Sequence, residues 1–186
     1  MIGDLPKSLE IGGKEYTIDS DFRTMLNIFA AFADPELTEE EKCYVCVKNL
    51  YDDFSSIPAD DVQEAVEKAY WFAGGGDIPE ENVCPKKIID WQQDERIIFP
   101  AINKVAGYET RSVEYMHWWS FLGLFGEIGE GLLSQVLHIR QKKAKGKKLE
   151  KWEQDFCHDH KGMIEIKTRY TKEEIAKQKE LNDLLN

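Results

Sequence analysis

Val-Glu-Tyr-Met-His-Trp-Trp-Ser-Phe-Leu-Gly-Leu-Phe-Gly-Glu-Ile, residues 113–128, places apolar side chains around every face of any helix drawn through it. A helix of that kind has no side to offer water, so it must be enclosed by others, and the stretch is expected to be the hub of a helical bundle. Gly123, Gly126, Gly129 and Gly131 would let neighbouring backbones approach, or bend the helix near Gly129. On its N-terminal side, Asp90 with Gln93 resembles a capping box. It would open a helix through Trp91, Ile97, Ile98, Ala101, Ile102 and Val105 that stops at Gly107. Pro100 lies inside that helix, lacks an amide donor and crowds the preceding turn, so a kink or break is expected there. On the C-terminal side a helix from Leu132 to about Ala144 carries Val136, Leu137 and Ile139. Leu149, Trp152 and Phe156 then repeat at helical spacing.

The remaining chain extends the same pattern. Residues 8–18 read as two short strands around Gly12-Gly13, which supplies the positive φ angles of a tight hairpin, and this is expected to be the only sheet. From Asp21 the period becomes helical through Phe22, Met25, Leu26 and Phe29, with Asp19 or Ser20 as the cap and Asp34-Pro35 as the stop. Thr38-Glu39-Glu40-Glu41 forms a capping box ahead of Tyr44, Val45, Val47, Leu50 and Tyr51. A third helix runs from about Ala59 to Ala73 and ends at Gly74-Gly75-Gly76, with residues 74–85 as the one expected hinge. Thr171 and Glu174 begin a polar C-terminal helix over 171–186, which has few apolar anchors and is expected to dock loosely or to be reserved for a partner. The fold class is therefore all-α, a multi-helix bundle in a single domain of residues 1–186 with a small N-terminal β-hairpin.

Composition limits function. A chain of 186 residues with 42% hydrophobic side chains can bury a core without disulfides or metal. A net charge of -11 repels phosphate backbones and anionic lipid, so no nucleic-acid or membrane partner is expected. No apolar run approaches the ~20 residues of a spanning helix, and the start, Met1-Ile2-Gly3-Asp4-Leu5-Pro6, has no secretory pattern, which points to the cytoplasm. The charge is uneven: Arg140, Lys142, Lys143, Lys145, Lys147, Lys148 and Lys151 stand against one acid, Glu150. That run reads as a solvated helix end, with an acidic partner as the second reading. Cys43, Cys46, Cys84 and Cys157 fit neither a disulfide ladder nor a zinc knuckle, and read as buried thiols.

Candidate chemistry is sparse. Glu127 and Glu130, three residues apart, could face Mg²⁺ in an all-helical hydrolase, with Asp94 and Glu95 as facing acids, although no second ExxE or ExxD accompanies them. His117 could act as a base but reads as a hydrogen-bonded core histidine. Cys157-His158-Asp159-His160 has the residue types of a metal site, yet adjacent positions on a helix point apart. There is no phosphate-binding loop and no nucleophile elbow. The Trp118-Trp119 pair reads either as core or as one ring lining a partner groove.

Asp21-Phe22-Arg23, the stretches 94–97 and 99–108, His117-Trp118-Trp119 with Phe121, and Ile139-Arg140 together resemble the gene-product-fifteen family of long-tailed, non-contractile bacteriophages and their prophages. The resemblance implies a non-catalytic tail assembly chaperone that acts in the host bacterial cytoplasm. Such a protein coats the tape-measure protein while tail-tube protein polymerises around it, and is left out of the finished virion. It implies no catalytic residue, cofactor or metal, and leaves homo-oligomerisation open. The matched aromatic positions are expected to be largely structural. The candidate partner-contacting set is Trp118, Trp119, Phe121, Arg140, Lys143, Leu181 and Leu184. The other readings are a carboxylate- and metal-dependent helical hydrolase and a minor structural component of the tail.

Overall fold

Two helix starts lie back to back and organise the chain. The computed structural model, which describes residues 3–77 and 87–184, pairs Asp21 with His117 in an isolated antiparallel bridge. Phe22 N donates to Met116 O (2.9 Å) and Trp118 N to Ser20 O (2.8 Å). From this bridge α1 (Phe22–Phe32) and α5 (Trp118–Gly126) depart side by side. Asp21 caps α1 by accepting the Arg23 amide at 2.9 Å, and His117 caps α5 by accepting the Trp119 amide on Nδ1 at 3.0 Å. The cap of α1 is thus Asp21 and not Asp19 or Ser20. Asp19 instead accepts the Asp21 amide and the Thr24 hydroxyl, and the Ser20 carbonyl serves the bridge.

The same bridge shortens the aromatic helix. Residues 113–117 are not helical, because the bridge holds them beside the start of α1, and α5 has only nine residues before the chain turns over 127–131. Trp118 remains the centre of the core at 1% exposure, and Phe121 stacks on Phe22 with ring centroids 4.6 Å apart. The indole N–H groups of Trp118 and Trp119 donate to the carbonyls of Ala73 and Phe72, both at 2.9 Å. These carbonyls close α3 (Val62–Ala73); that of Phe72 also accepts the Gly75 amide at 3.1 Å, so the tryptophan pair adds to the C-terminal cap that the following turn supplies.

Other expectations agree with the structure more directly. β1 (Ser8–Ile11) and β2 (Lys14–Thr17) pair antiparallel with Ser8 opposite Thr17, and Gly12 and Gly13 hold φ of 56° and 77°. Thr38 and Glu41 form the reciprocal box that starts α2 (Glu39–Leu50). That helix buries Cys46, Val47 and Leu50 but leaves Tyr44 exposed. The Asp90 carboxylate does accept the Gln92 and Gln93 amides, but it caps a single turn, and α4 (Glu95–Ala106) begins later, ending at Gly107 with φ 79°. Pro100 does not break α4. It sits on the exposed side, where the missing amide leaves only the Arg96 carbonyl without an intrahelical donor.

A second, smaller apolar cluster of Val136, Ile139 and Ile164 joins α6 (Leu132–Ala144), α7 (Lys151–Asp159) and α8 (Lys161–Ile164) to the outer side of α4 through Ile97. In the Cys157 to His160 run, His158 and Asp159 are exposed and His160 packs on the Phe156 ring at 4.4 Å. The C-terminal α9 (Lys172–Leu184) leaves residues 172–183 exposed, and its first amide donates to Glu36 Oε1 at 2.5 Å. Part of the expected hinge, residues 78–85 with Cys84, and residues 185–186 of the expected last helix lie outside the described residues.

Truncating Trp118 removes both a core ring and the donor to the Ala73 carbonyl at the end of α3. Trp118→Ala is expected to lose about 3 to 5 kcal/mol in urea denaturation. Trp152→Ala, at a ring 49% exposed, should change stability by less than about 0.5 kcal/mol.

Candidate partner-binding surface

The structure divides the expected contact set between interior and surface. Trp118 and Phe121 are enclosed in the core, and Trp119 is half-buried against Trp71 and Phe72. Trp118 and Phe121 therefore serve as scaffold. Lys143 is exposed, Leu181 on α9 is 58% exposed, and Leu184 closes the same helix. Arg140 requires a correction. Unlike the exposed Lys143 of the same basic run, it is 4% exposed and engaged on every side by protein.

All five guanidinium N–H groups of Arg140 have acceptors. Two parallel bonds reach Asp94, Nη1 to Oδ2 at 2.5 Å and Nη2 to Oδ1 at 2.8 Å. The others go to the carbonyls of Ile88 (2.9 Å), Ile164 (3.1 Å) and Met163. Asp94 also accepts the Asp90 amide, and Asp90 in turn holds Arg169 in two bonds of 2.8 and 3.0 Å. This chain of buried charges joins α4, α6, α8 and the segment leading to α9. A buried arginine cannot shed its proton, so Arg140 needs this full set of partners to be tolerated. Sequence reasoning missed the role because no local pattern links residues 94 and 140. The one available signal was that both fall in stretches carrying the family resemblance.

Titration follows from these contacts. Burial pushes the Asp90 carboxyl up, but the Lys87 ammonium, the Gln93 amide and Arg169 outweigh it and hold it below the ordinary range. Lys142 does the same for Glu153, aided by the Glu150 amide and His138. Burial lowers His117, whose Nδ1 accepts an amide while Nε2 lies 2.9 Å from the Pro6 carbonyl. That arrangement fits a neutral ring with the proton on Nε2, and leaves no free lone pair for a base. Burial raises the Cys46 thiol to about 12, so it stays protonated. Among the described residues no three His, Cys, Asp or Glu side chains gather in a way that could hold a metal ion, and no helix is long and apolar enough to cross a membrane.

The surface offers an apolar depression beside α4. α4 turns Ile98, Phe99 and Ile102 inward, and its opposite face, with Ile97, Pro100, Ala101 and Val105, forms the floor of a groove of about 560 Å³. The facing lip is the 127–133 segment, with Ile128, Leu132 and Leu133. A neighbouring depression of about 660 Å³ shares Arg96 and Ile97 and continues toward Gly162 and Thr168. The signal for it in the sequence was present but unread: α4 carries apolar residues on more than the one stripe a core requires.

A family model described as Bacteriophage Gp15 protein matches residues 1–171. No curated protein and no solved structure matches the chain.

Two measurements check the charge chain. Arg140→Ala strands Asp94 as a buried, unpaired carboxylate and should cost about 3 to 5 kcal/mol in guanidinium denaturation, while Asp94→Leu combined with Arg140→Leu should restore much of that loss. Stability against pH should fall in two stages. The unfolded chain protonates His117 at its ordinary 6.5 while the fold resists, so stability declines as pH drops below about 6.5. Asp90 and Glu153 stay ionised in the fold after their unfolded counterparts take protons near 3.8 and 4.5, so a second loss follows as pH falls through that range.

Proposed function

This chain belongs to the bacteriophage Gp15 protein family, and from that premise we propose that it is a non-catalytic tail assembly chaperone, holding the tape-measure protein while tail-tube subunits polymerise around it. The observation that carries the reading is the family match, which spans the whole body of the fold and ends where α9 begins. Two further features support it. The protein presents an apolar groove along α4, the kind of surface that takes the apolar face of a helix. Its titratable side chains in the core are committed to hydrogen bonds that hold helices together, as Arg140, Asp94 and His117 are. The chaperone acts in the host cytoplasm and dissociates before the virion is complete.

Co-expression with the tape-measure protein encoded beside it tests the proposal. The expected outcome is a soluble tape-measure protein that co-purifies with this chain. A tape-measure protein that stays insoluble, with this chain eluting alone, refutes the reading. Stoichiometric amounts of this chain in purified virions, measured by mass spectrometry, would instead make it a permanent tail component.

A further inference from the structure

We propose that the groove along α4 is a docking site for one amphipathic helix of a protein partner, and that the opposite charges of its two walls fix which way round that helix lies. The proposal rests on the chaperone reading for the identity of the partner, but its geometry is independent of it. The floor of Ile97, Pro100, Ala101 and Val105 is apolar, and Leu132 on the lip is 42% exposed. One wall, on α4, bears Arg96 and Lys104. The other, on the turn after α5, bears Glu127 and Glu130. Opposite charges that line one groove would ordinarily close on each other. Yet none of these four side chains makes an ion pair or hydrogen bond among the described residues.

The groove also fits in length and in backbone chemistry. Its lining on α4 runs from Arg96 to Val105, about 14 Å at 1.5 Å per residue, enough for roughly two and a half turns of a partner helix. Halfway along, Pro100 leaves the Arg96 carbonyl without an intrahelical donor, so a polar side chain of the incoming helix has an acceptor to reach. The matching helix has an apolar stripe, acidic residues along the edge that meets Arg96 and Lys104, and basic residues along the edge that meets Glu127 and Glu130. Reversing that helix would place like charges together on both walls, which is how the groove selects one orientation. The α4–α6 contact and the Arg140–Asp94 pair hold the walls at a fixed separation, so the helix meets a preformed site.

The test uses the full chain and labelled overlapping peptides covering the tape-measure protein, with binding read by fluorescence anisotropy. Leu132→Glu and Val105→Glu, both at exposed positions, should each weaken the bound segment by about tenfold or more while melting temperature is unchanged. Arg96→Glu with Lys104→Glu should weaken it as well, and exchanging the acidic edge of the peptide for lysine should rescue that variant. If the intact chain binds a segment and the groove variants bind it equally well, the groove assignment is wrong and the chaperone reading stands. If no tape-measure segment binds, the chaperone reading falls. The groove is then decided by a synthetic three- to four-turn helix of the stated pattern. Backbone amide shifts at Ala101 and Leu132 support it, and their absence overturns it. Groove variants that alter sedimentation of the chain alone would assign the surface to a second copy and overturn the proposal.

Discussion

Burying a guanidinium that cannot give up its proton obliges the protein to surround it with acceptors, and the arrangement of the α4, α6 and α8 helices follows from meeting that obligation at Arg140. Its five donors draw in a carboxylate from the start of α4, one carbonyl from the segment before it, and two from α8. An apolar side chain of similar size could stabilise the site as well, because moving two charges out of water is costly. What the ion pair adds is a defined geometry. Fork-to-fork contact with Asp94 sets both the distance and the rotation of α6 against α4, and the walls of the groove inherit that precision.

The aromatic half of the molecule solves a different problem. Helix ends leave carbonyls and amides without partners, and here three ends are satisfied in one place. Asp21 and His117 cap α1 and α5 from opposite sides of a shared bridge, while the two indoles that follow His117 close α3. The His-Trp-Trp sequence is therefore a junction of three helices. That accounts for its unusual density of amphipathic rings, since each must offer an apolar face to the core and a polar atom to a backbone group.

How much of this could be read from the sequence depended on the range of the interaction. Features set by a few neighbouring residues were legible: the glycine turn of the hairpin, the Thr38 and Glu41 box, the bounds of α6 and the stop at Gly107. The start of α5 was not, because the hydrophobic pattern through residues 113–117 is helical and only a pairing with Asp21, nearly a hundred positions away, holds that segment extended. Arg140 was misassigned for a similar reason. It heads a lysine-rich run in which Lys143, Lys145, Lys147, Lys148 and Lys151 are exposed and Lys142 is half-buried, and nothing nearby in the chain marks Arg140 as the one fully enclosed. The groove escaped notice because apolar residues on the outer face of α4 look, in sequence, like additional core.

The detachment of α9 carries a thermodynamic consequence. A helix of thirteen residues that leaves 172–183 exposed, and that is held by an end box, a Glu173–Lys177 pair and the bond of its first amide to Glu36, is governed largely by its own helix–coil equilibrium. Calorimetric melting of the bundle would pass over it, because its residues contribute almost nothing to the cooperative transition. A binder that captures only this tail would then leave the thermal midpoint unmoved while raising helical ellipticity at low temperature. Screening for such a binder by thermal shift would miss it.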